Sequence, residues 1–172
     1  ENFLHSNQII QQKSSKLGGQ KTIGSTVAAL FTWKNIALVL WAGDSRVYLL
    51  RDQTLHRLTE DHSYVEELVR MGKLDADQAE AHPAANVVLN AIGIHADLTI
   101  DMDYYEIEDG DVFVICSDGL FKELSELQIS KILSRSNASL KQQNKELIDA
   151  ALNAGGSDNC SVILVKAQAQ NN

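Results

Sequence analysis

Proline is almost absent from this sequence, since Pro83 is the only one in 172 residues. A proline-rich linker is therefore excluded, and neither a repeat nor a low-complexity segment divides the chain. We expect Pro83 to mark a break after a helix rather than a domain boundary. At this length, with 44% apolar residues, the composition predicts one domain that buries roughly 70% of its unfolded surface.

Cysteine is scarce as well. Cys116 and Cys160 form neither a CxxC pair nor a zinc-ligand spacing, which excludes those redox and metal motifs. Both thiols lie in apolar runs, so we expect reduced core residues. Cys116 lies two positions before Asp118 and Cys160 two positions after Asp158, and these aspartates could bind one metal site. The two thiols could therefore be neighbours, so a disulfide between them remains a less favoured alternative.

Long hydrophobic runs and an excess of positive charge are also missing. No apolar run approaches the ~20 residues that span a bilayer, and no signal-peptide pattern opens the chain. The net charge of −8 argues against nucleic acid or an anionic membrane as the main partner. An ordinary cytoplasmic surface and a carboxylate cluster that holds divalent cations are both compatible with this charge.

Two short acidic motifs next to apolar runs are the most informative features present. The Ser-Asp-Gly-Leu segment 117–120 follows one apolar run, and the Gly-Gly-Ser-Asp-Asn segment 155–159 precedes another. If both runs are buried strands, Asp118 and Asp158 lie at strand ends beside glycines that permit close approach. Two carboxylates at one rim suit a hard cation such as Mg²⁺ or Mn²⁺.

Each of these aspartates also has a plainer interpretation, in which it only caps a turn or a helix. Asp44 is a third candidate, in the Gly-Asp-Ser-Arg turn 43–46 between two predicted strands. The alternative is that it bonds its own backbone and pairs with Arg46. We expect Ser45 and Arg46 to be structural.

Five motifs in a fixed order resemble the metal-dependent protein serine/threonine phosphatases of type 2C, and most closely their bacterial branch. Each motif alone is weak, but five in order across nearly the whole chain are specific. In this sequence they occupy 43–46, 59–72, 82–93, 117–120 and 155–159.

The resemblance implies an α+β fold, a layered sandwich of two central antiparallel β-sheets flanked by helices. It implies that 61–95 forms a flap subdomain. It also implies that Asp118 and Asp158 are ligands of two catalytic Mn²⁺ or Mg²⁺ ions, and that Asp44 is a ligand of a third, weaker ion.

The implied activity is the hydrolysis of phosphoserine and phosphothreonine on proteins by a metal-bound hydroxide at a dinuclear site. The partners would be phosphorylated proteins, and the enzyme would oppose a Ser/Thr kinase. Two alternatives stay open. One is a non-catalytic phosphatase-like module that binds or senses, and the other is a metal-dependent hydrolase of small phosphate esters.

One element of the family pattern is missing from this sequence. Type 2C phosphatases carry an Asp-Gly-Met-Gly-Gly or Asp-Gly-His-Gly-Gly turn whose aspartate bridges the two metals, and neither Asp109-Gly110 nor Asp118-Gly119 fits it. We therefore expect a partial domain, truncated at its N-terminus, that is inactive alone. The catalytic acid and the phosphate-binding arginine are assigned to no residue present, and His62 and His82 are expected to be hydrogen-bonded structural residues.

Hydrophobic periodicity and turn residues predict the secondary structure. Ser63 is expected to cap a helix in a capping box with Glu66, whereas Ser125 is expected to cap without a partner three residues on. The predicted elements are a helix over 2–14 ending near Gly18-Gly19, a four-strand meander over 26–58, helices over 63–71 and 75–81, a hairpin of 98–107 with 111–116, helices over 125–134 and 140–154, and a last strand over 160–165.

Overall fold

The computed structural model describes residues 2–17, 22–135 and 137–169. Most of its helices and strands lie where the apolar runs predict them, and α3 is an additional short helix. In chain order they are α1 (Asn2–Lys16), β1 (Val27–Trp33), β2 (Ile36–Ala42), β3 (Arg46–Arg51), β4 (Thr54–Arg57), α2 (Tyr64–Arg70), a 3₁₀ helix (Ala76–Gln78), β5 (Asp101–Glu106), β6 (Val112–Cys116), α3 (Asp118–Phe121), α4 (Glu126–Leu133), α5 (Leu140–Ala154) and β7 (Val162–Lys166).

The strands form two sheets. One has three strands in the order β1-β2-β5, and the other has four in the order β4-β3-β6-β7. In the four-stranded sheet each neighbouring pair is antiparallel, with Tyr48 opposite Val114 and Val114 opposite Leu164. The predicted α+β class, with two antiparallel sheets and flanking helices, is confirmed.

Two predicted strand pairings are wrong. The meander over 26–58 does not exist as one sheet, because β2 and β3 belong to different sheets. The predicted hairpin fails for the same reason, since β5 and β6 are also in different sheets. The apolar pattern locates strands from local residues, but which strands pair depends on how two sheets share consecutive strands, and that is a long-range property.

The chain divides into two compact units. The segment predicted to be a flap, 61–95, lies within the first of them. The first unit comprises Glu1–Val27, Leu40–Asp44 and Glu60–Met102, and the second comprises Ala28–Val39, Ser45–Thr59 and Asp103–Asn172.

The second unit has the larger apolar core. Tyr48, Val114, Leu120, Ile129 and Leu147 are fully buried in one cluster. These residues come from the four-stranded sheet and from α3, α4 and α5, so the helices are held against one face of that sheet by apolar burial. Each large apolar side chain removed from water in this way contributes about 1.5–3 kcal/mol.

A buried amide organises the first unit. Asn7 on α1 is 1% exposed, and its Nδ2 donates to the carbonyl of His95 at 2.9 Å. Its Oδ1 accepts from the Gly93 N–H at 2.6 Å. Because both ends of this amide are satisfied by one loop, a polar side chain can be buried there and fixes α1 to that loop.

Helix termini confirm some expectations and correct others. Ser63 caps α2 and accepts from the Glu66 N–H at 3.2 Å. Ser125 does have a capping partner, because the Gln128 side chain accepts from the Ser125 N–H at 2.9 Å. The prediction of an unpartnered cap was wrong since glutamine serves this role as glutamate does.

Two further helix predictions have different outcomes. The helix expected over 75–81 is only the short 3₁₀ turn Ala76–Gln78. The predicted end of α1 at Gly18-Gly19 lies outside the described residues. Within the described part of the chain, no helix combines the length and apolar character needed to cross a membrane.

Candidate metal centre

Asp118 stands at the point where a buried strand becomes a helix. β6 ends at Cys116, Ser117 occupies the N-cap position, and Asp118 is the first residue of α3. Its side chain is 23% exposed, and the Lys122 Nζ one turn later lies 2.6 Å from its Oδ2. The carboxylate is therefore accessible and already has a cationic group beside it.

Asp158 lies in the loop between α5 and β7. It is exposed, and its Oδ1 accepts from the Asn159 N–H at 2.6 Å. This contact is the local turn bond of the plainer interpretation, and it involves one of the two carboxylate oxygens. The loop itself begins at Gly155, which ends α5.

The segments that carry Asp118 and Asp158 touch each other. The Ser117 hydroxyl donates to the Asn159 carbonyl at 3.1 Å and accepts from the Ser161 N–H at 2.9 Å. A Cβ at Gly119 would lie 2.5 Å from that carbonyl oxygen, so only glycine allows this approach. The structure thus brings the two segments together at one end of the β6–β7 pair.

Glu123 is a residue of this centre that the sequence analysis missed. Its Oε1 accepts from the Ser157 N–H at 3.0 Å and from the Ser157 hydroxyl at 2.5 Å. These two hydrogen bonds from Ser157 lower the pKa of the Glu123 carboxyl. No motif in the sequence singles out Glu123, because its partner is 34 positions away.

Asp44 is half-buried in the turn after β2, and it belongs to the first unit, whereas Asp118 and Asp158 belong to the second. The preceding Gly43 has φ +116°, and a side chain there would collide with the side chain of Thr26. The turn that presents Asp44 therefore requires glycine at 43 on two independent grounds.

Arg46 occupies a structural position in the second unit. Its guanidinium carbon lies 3.6 Å from the centre of the Phe121 ring, and its Nη1 donates to the Tyr48 hydroxyl at 3.1 Å. Burial raises the pKa of Tyr48 to about 12, although the neighbouring Arg46 charge acts in the opposite direction. The phenol therefore stays protonated and accepts from the guanidinium.

The two flagged histidines are hydrogen-bonded, as expected. His62 Nε2 lies 3.0 Å from Asp101 Oδ2, and His82 Nδ1 accepts from the Ala84 N–H at 3.1 Å.

The cysteines are free thiols, as the favoured interpretation predicts. Burial raises the pKa of the Cys160 thiol, which makes it a poor nucleophile and metal ligand.

The donor set fits a hard divalent cation in part. Two carboxylates on touching segments are the ligand type that Mg²⁺ and Mn²⁺ prefer, and the Lys122 ammonium beside Asp118 shows that a cation is favourable there. Among residues 2–17, 22–135 and 137–169, no group of three or more His, Cys, Asp or Glu side chains could hold a metal ion. Within these residues, Asp118 and Asp158 could therefore supply only a part of a ligand set.

A separate cleft of about 850 Å³ lies in the first unit. Six of its 14 lining residues are acidic, and the Arg70 guanidinium in its wall pairs with Glu67 at 2.7 Å. An acidic cleft of this kind repels phosphate, and none of the three candidate aspartates lines it. The acidic residues are Glu60, Asp61, Glu66, Glu67, Asp97 and Asp101.

Comparison with known proteins gives consistent results. Residues 4–154 match the family model described as protein phosphatase 2C. The chain is 37% identical over 166 residues to protein phosphatase PhpP of Streptococcus pneumoniae, which covers 95% of this chain and 67% of PhpP.

Solved structures agree with this match. A serine/threonine phosphatase of S. agalactiae superimposes with a TM-score of 0.92 at 32% identity, covering 96% of this chain and 68% of that one. The catalytic domain of the phosphatase PstP, solved in complex with two manganese ions, gives a TM-score of 0.82 at 28% identity, covering 95% and 67%. On these findings the chain belongs to the protein phosphatase 2C family of metal-dependent protein serine/threonine phosphatases.

Proposed function

We propose that the protein containing this chain hydrolyses phosphoserine and phosphothreonine on proteins, and that Asp118 and Asp158 are ligands of two divalent cations, Mn²⁺ or Mg²⁺. The observation that carries the assignment of these residues is the contact between 117–119 and 159–161, which places both aspartates at one end of the β6–β7 pair. Two such cations, held by these carboxylates together with further ligands, would supply an activated water and neutralise the phosphoryl oxygens.

The residues around the aspartates have distinct roles in this proposal. Asp118 and Asp158 supply negative charge and hard oxygen ligands. The Lys122 ammonium lies 2.6 Å from Asp118 Oδ2, so a cation would bind the other oxygen of this carboxylate or displace Lys122 from the first. Glu123 and Ser117 hold the backbone of the Asp158 loop in place.

Further proposals concern the rest of the chain. Asp44 would be a ligand of a third, weaker cation, and 61–95 would be a flap subdomain within the one domain. The bacterial relatives support phosphorylated proteins as substrates, and we propose that a Ser/Thr kinase produces these substrates in the cytoplasm. The match covers about two thirds of the length of PhpP, and the activity is proposed for the protein that contains this chain.

The test is an assay of the whole protein with p-nitrophenyl phosphate and a phosphothreonine peptide. We expect turnover with Mn²⁺ or Mg²⁺ and none after exhaustive chelation, with recovery when Mn²⁺ is restored. Turnover that survives chelation would contradict the metal-dependent mechanism. Metal-dependent binding of the peptide without turnover would favour the non-catalytic module, and turnover of the small ester alone would favour a small-ester hydrolase.

A further inference from the structure

We propose that His62 is a positioning residue that fixes the turn carrying Asp44, and that it does so in one tautomer set by Asn90. The importance of this turn for metal binding rests on the role proposed above for Asp44. The hydrogen-bond geometry of His62 stands independently of that role, because every group in it belongs to the first unit.

His62 makes two hydrogen bonds with the backbone of Gly43. Its backbone N–H donates to the Gly43 carbonyl at 2.9 Å. The Gly43 N–H in turn donates to His62 Nδ1 at 3.2 Å. One residue therefore satisfies both backbone polar groups of Gly43, and Asp44 follows directly. A buried residue at positive φ, such as Gly43, needs such partners to hold one conformation.

Asn90 determines which ring nitrogen carries the proton. Its side chain pairs with the backbone of Thr99, since Nδ2 donates to the Thr99 carbonyl at 2.7 Å and Oδ1 accepts from the Thr99 N–H at 3.4 Å. These bonds identify the nitrogen end of the amide. That same Nδ2 lies 2.9 Å from His62 Nδ1.

The tautomer of His62 follows from this orientation. An amide nitrogen only donates, and a neutral imidazole has one donor and one acceptor nitrogen. Nδ1 must therefore accept from Asn90 and from the Gly43 N–H, and the proton resides on Nε2. From there it is donated to Asp101 Oδ2, 3.0 Å away.

The Trp41 ring packs against the imidazole and restricts its movement. The Trp41 ring stacks on the imidazole with centres 6.4 Å apart and planes at 27°. Trp41 is itself fixed, because its Nε1 donates to the Glu60 carbonyl at 2.8 Å. The His62 side chain is only 16% exposed. With both nitrogens engaged, the ring is arranged to hold the turn and not to exchange protons with a substrate.

Two substitutions test the roles of the two ring nitrogens of His62 separately. His62→Asn places a carboxamide oxygen near the position of Nδ1, so it can still accept from the Gly43 N–H while losing Asp101. His62→Gln reaches toward the position of Nε2, so it can still bond Asp101 but leaves Gly43 without its acceptor. The pair differs by one methylene group and keeps an uncharged amide in both cases.

The first experiment measures hydrogen exchange of the Gly43 amide by NMR in the whole protein, without added metal. Losing one hydrogen bond is expected to reduce Gly43 protection roughly tenfold in His62→Gln, while His62→Asn keeps it near the wild-type level. Equal loss in both variants, or no loss in His62→Gln, would overturn the proposal. The nitrogen chemical shifts of the His62 ring in the wild-type protein report which nitrogen carries the proton. A ring protonated at Nδ1 would also overturn the proposal.

The second experiment measures Mn²⁺ binding by calorimetry. We expect Asp44→Asn and His62→Gln to weaken the same low-affinity Mn²⁺-binding step. His62→Asn should leave that step near the wild-type affinity. If Asp44→Asn changes nothing, the metal role of Asp44 is wrong, and the exchange data still decide the role of His62. If Asp44→Asn weakens the step but His62→Gln does not, the positioning role of His62 is wrong.

Discussion

Glu123 and Ser157 are joined by two hydrogen bonds to a single oxygen. The Ser157 N–H lies 3.0 Å and the Ser157 hydroxyl 2.5 Å from Glu123 Oε1. Glu123 follows the short helix that begins at Asp118, and Ser157 immediately precedes Asp158. One carboxylate oxygen thus links the chain just after α3, which begins at Asp118, to Ser157, the residue before Asp158.

Removing this link should impair metal binding more than it impairs folding. We expect Glu123→Ala to weaken Mn²⁺ affinity several-fold, because the Asp158 loop loses both bonds, and Glu123→Gln to lose less, because its carbonyl oxygen can still accept. Calorimetric Mn²⁺ titration and thermal unfolding measure the two effects. Glu126→Gln, an exposed substitution nearby, is the control. Unchanged affinity in Glu123→Ala would show that the loop is held by other contacts.

The candidate ligands themselves should be far more sensitive. Asp118→Asn and Asp158→Asn keep the side-chain volume but remove the charge, and each should lower turnover of a phosphothreonine peptide by roughly a hundredfold or more. Asp149→Asn on α5, whose carboxylate pairs with Lys145 on the exposed surface, is the matched control and should leave turnover unchanged. Wild-type turnover in either ligand variant would mean that the metal centre lies elsewhere.

Gly119 offers a test of the close approach between the two segments. An added Cβ would lie 2.5 Å from the Asn159 carbonyl oxygen and 2.9 Å from its carbon, and backbone cannot give way as a flexible side chain can. We expect Gly119→Ala to destabilise the fold by about 2 kcal/mol or more and to weaken Mn²⁺ binding by displacing the Asp158 loop.

Gly110→Ala is the control for this substitution. Gly110 has φ +90° and nothing within 4 Å of the added carbon, so its replacement should cost about 1–2 kcal/mol of backbone strain and leave Mn²⁺ affinity intact. Denaturant unfolding and Mn²⁺ titration of both variants give the comparison. Equal metal affinities in the two variants would show that the contact at Gly119 does not determine the position of Asp158.

Local patterns were enough to locate the strands and the two acidic motifs. The apolar run that ends at Cys116 predicts a buried strand, and the serine and aspartate after it mark its end. The structure has β6 ending at Cys116 and α3 starting at Asp118. Both events are decided by residues next to each other in the sequence, which is why they could be predicted.

Strand pairing and the supporting contacts could not be predicted in this way. After β2 the chain leaves one sheet and enters the other. Where this happens depends on contacts between strands that are distant in the sequence. Glu123 and Ser157 are 34 positions apart, and Asn90 and His62 are 28 apart. A glutamate after a helix or an asparagine in a loop has no local signature of such a partner.

The ion pair of Asp111 with Arg51 determines a pH dependence of stability. Asp111 is almost fully buried, with its side chain 1% exposed, and it accepts from Arg51 Nε at 2.9 Å and Nη2 at 2.7 Å. The Glu108 N–H also donates to it at 2.8 Å. Burial acts to raise the pKa of Asp111, but the bonds from Arg51 and Glu108 outweigh it, so the pKa lies below its ordinary value.

A carboxyl whose pKa is lower in the folded state stabilises the fold above its unfolded pKa, near 3.9, and loses that contribution as the pH falls through the folded value. We expect Asp111→Asn to lower the free energy of unfolding by about 1–3 kcal/mol at pH 7. The difference from wild type should shrink as the pH falls below roughly 4, because Asp111 then takes up a proton in the unfolded state while it is still ionised in the folded state. Urea unfolding between pH 7 and 3 measures it, with exposed Asp77→Asn as control. A difference that stays constant over this range would show that the charge of Asp111 contributes nothing to stability.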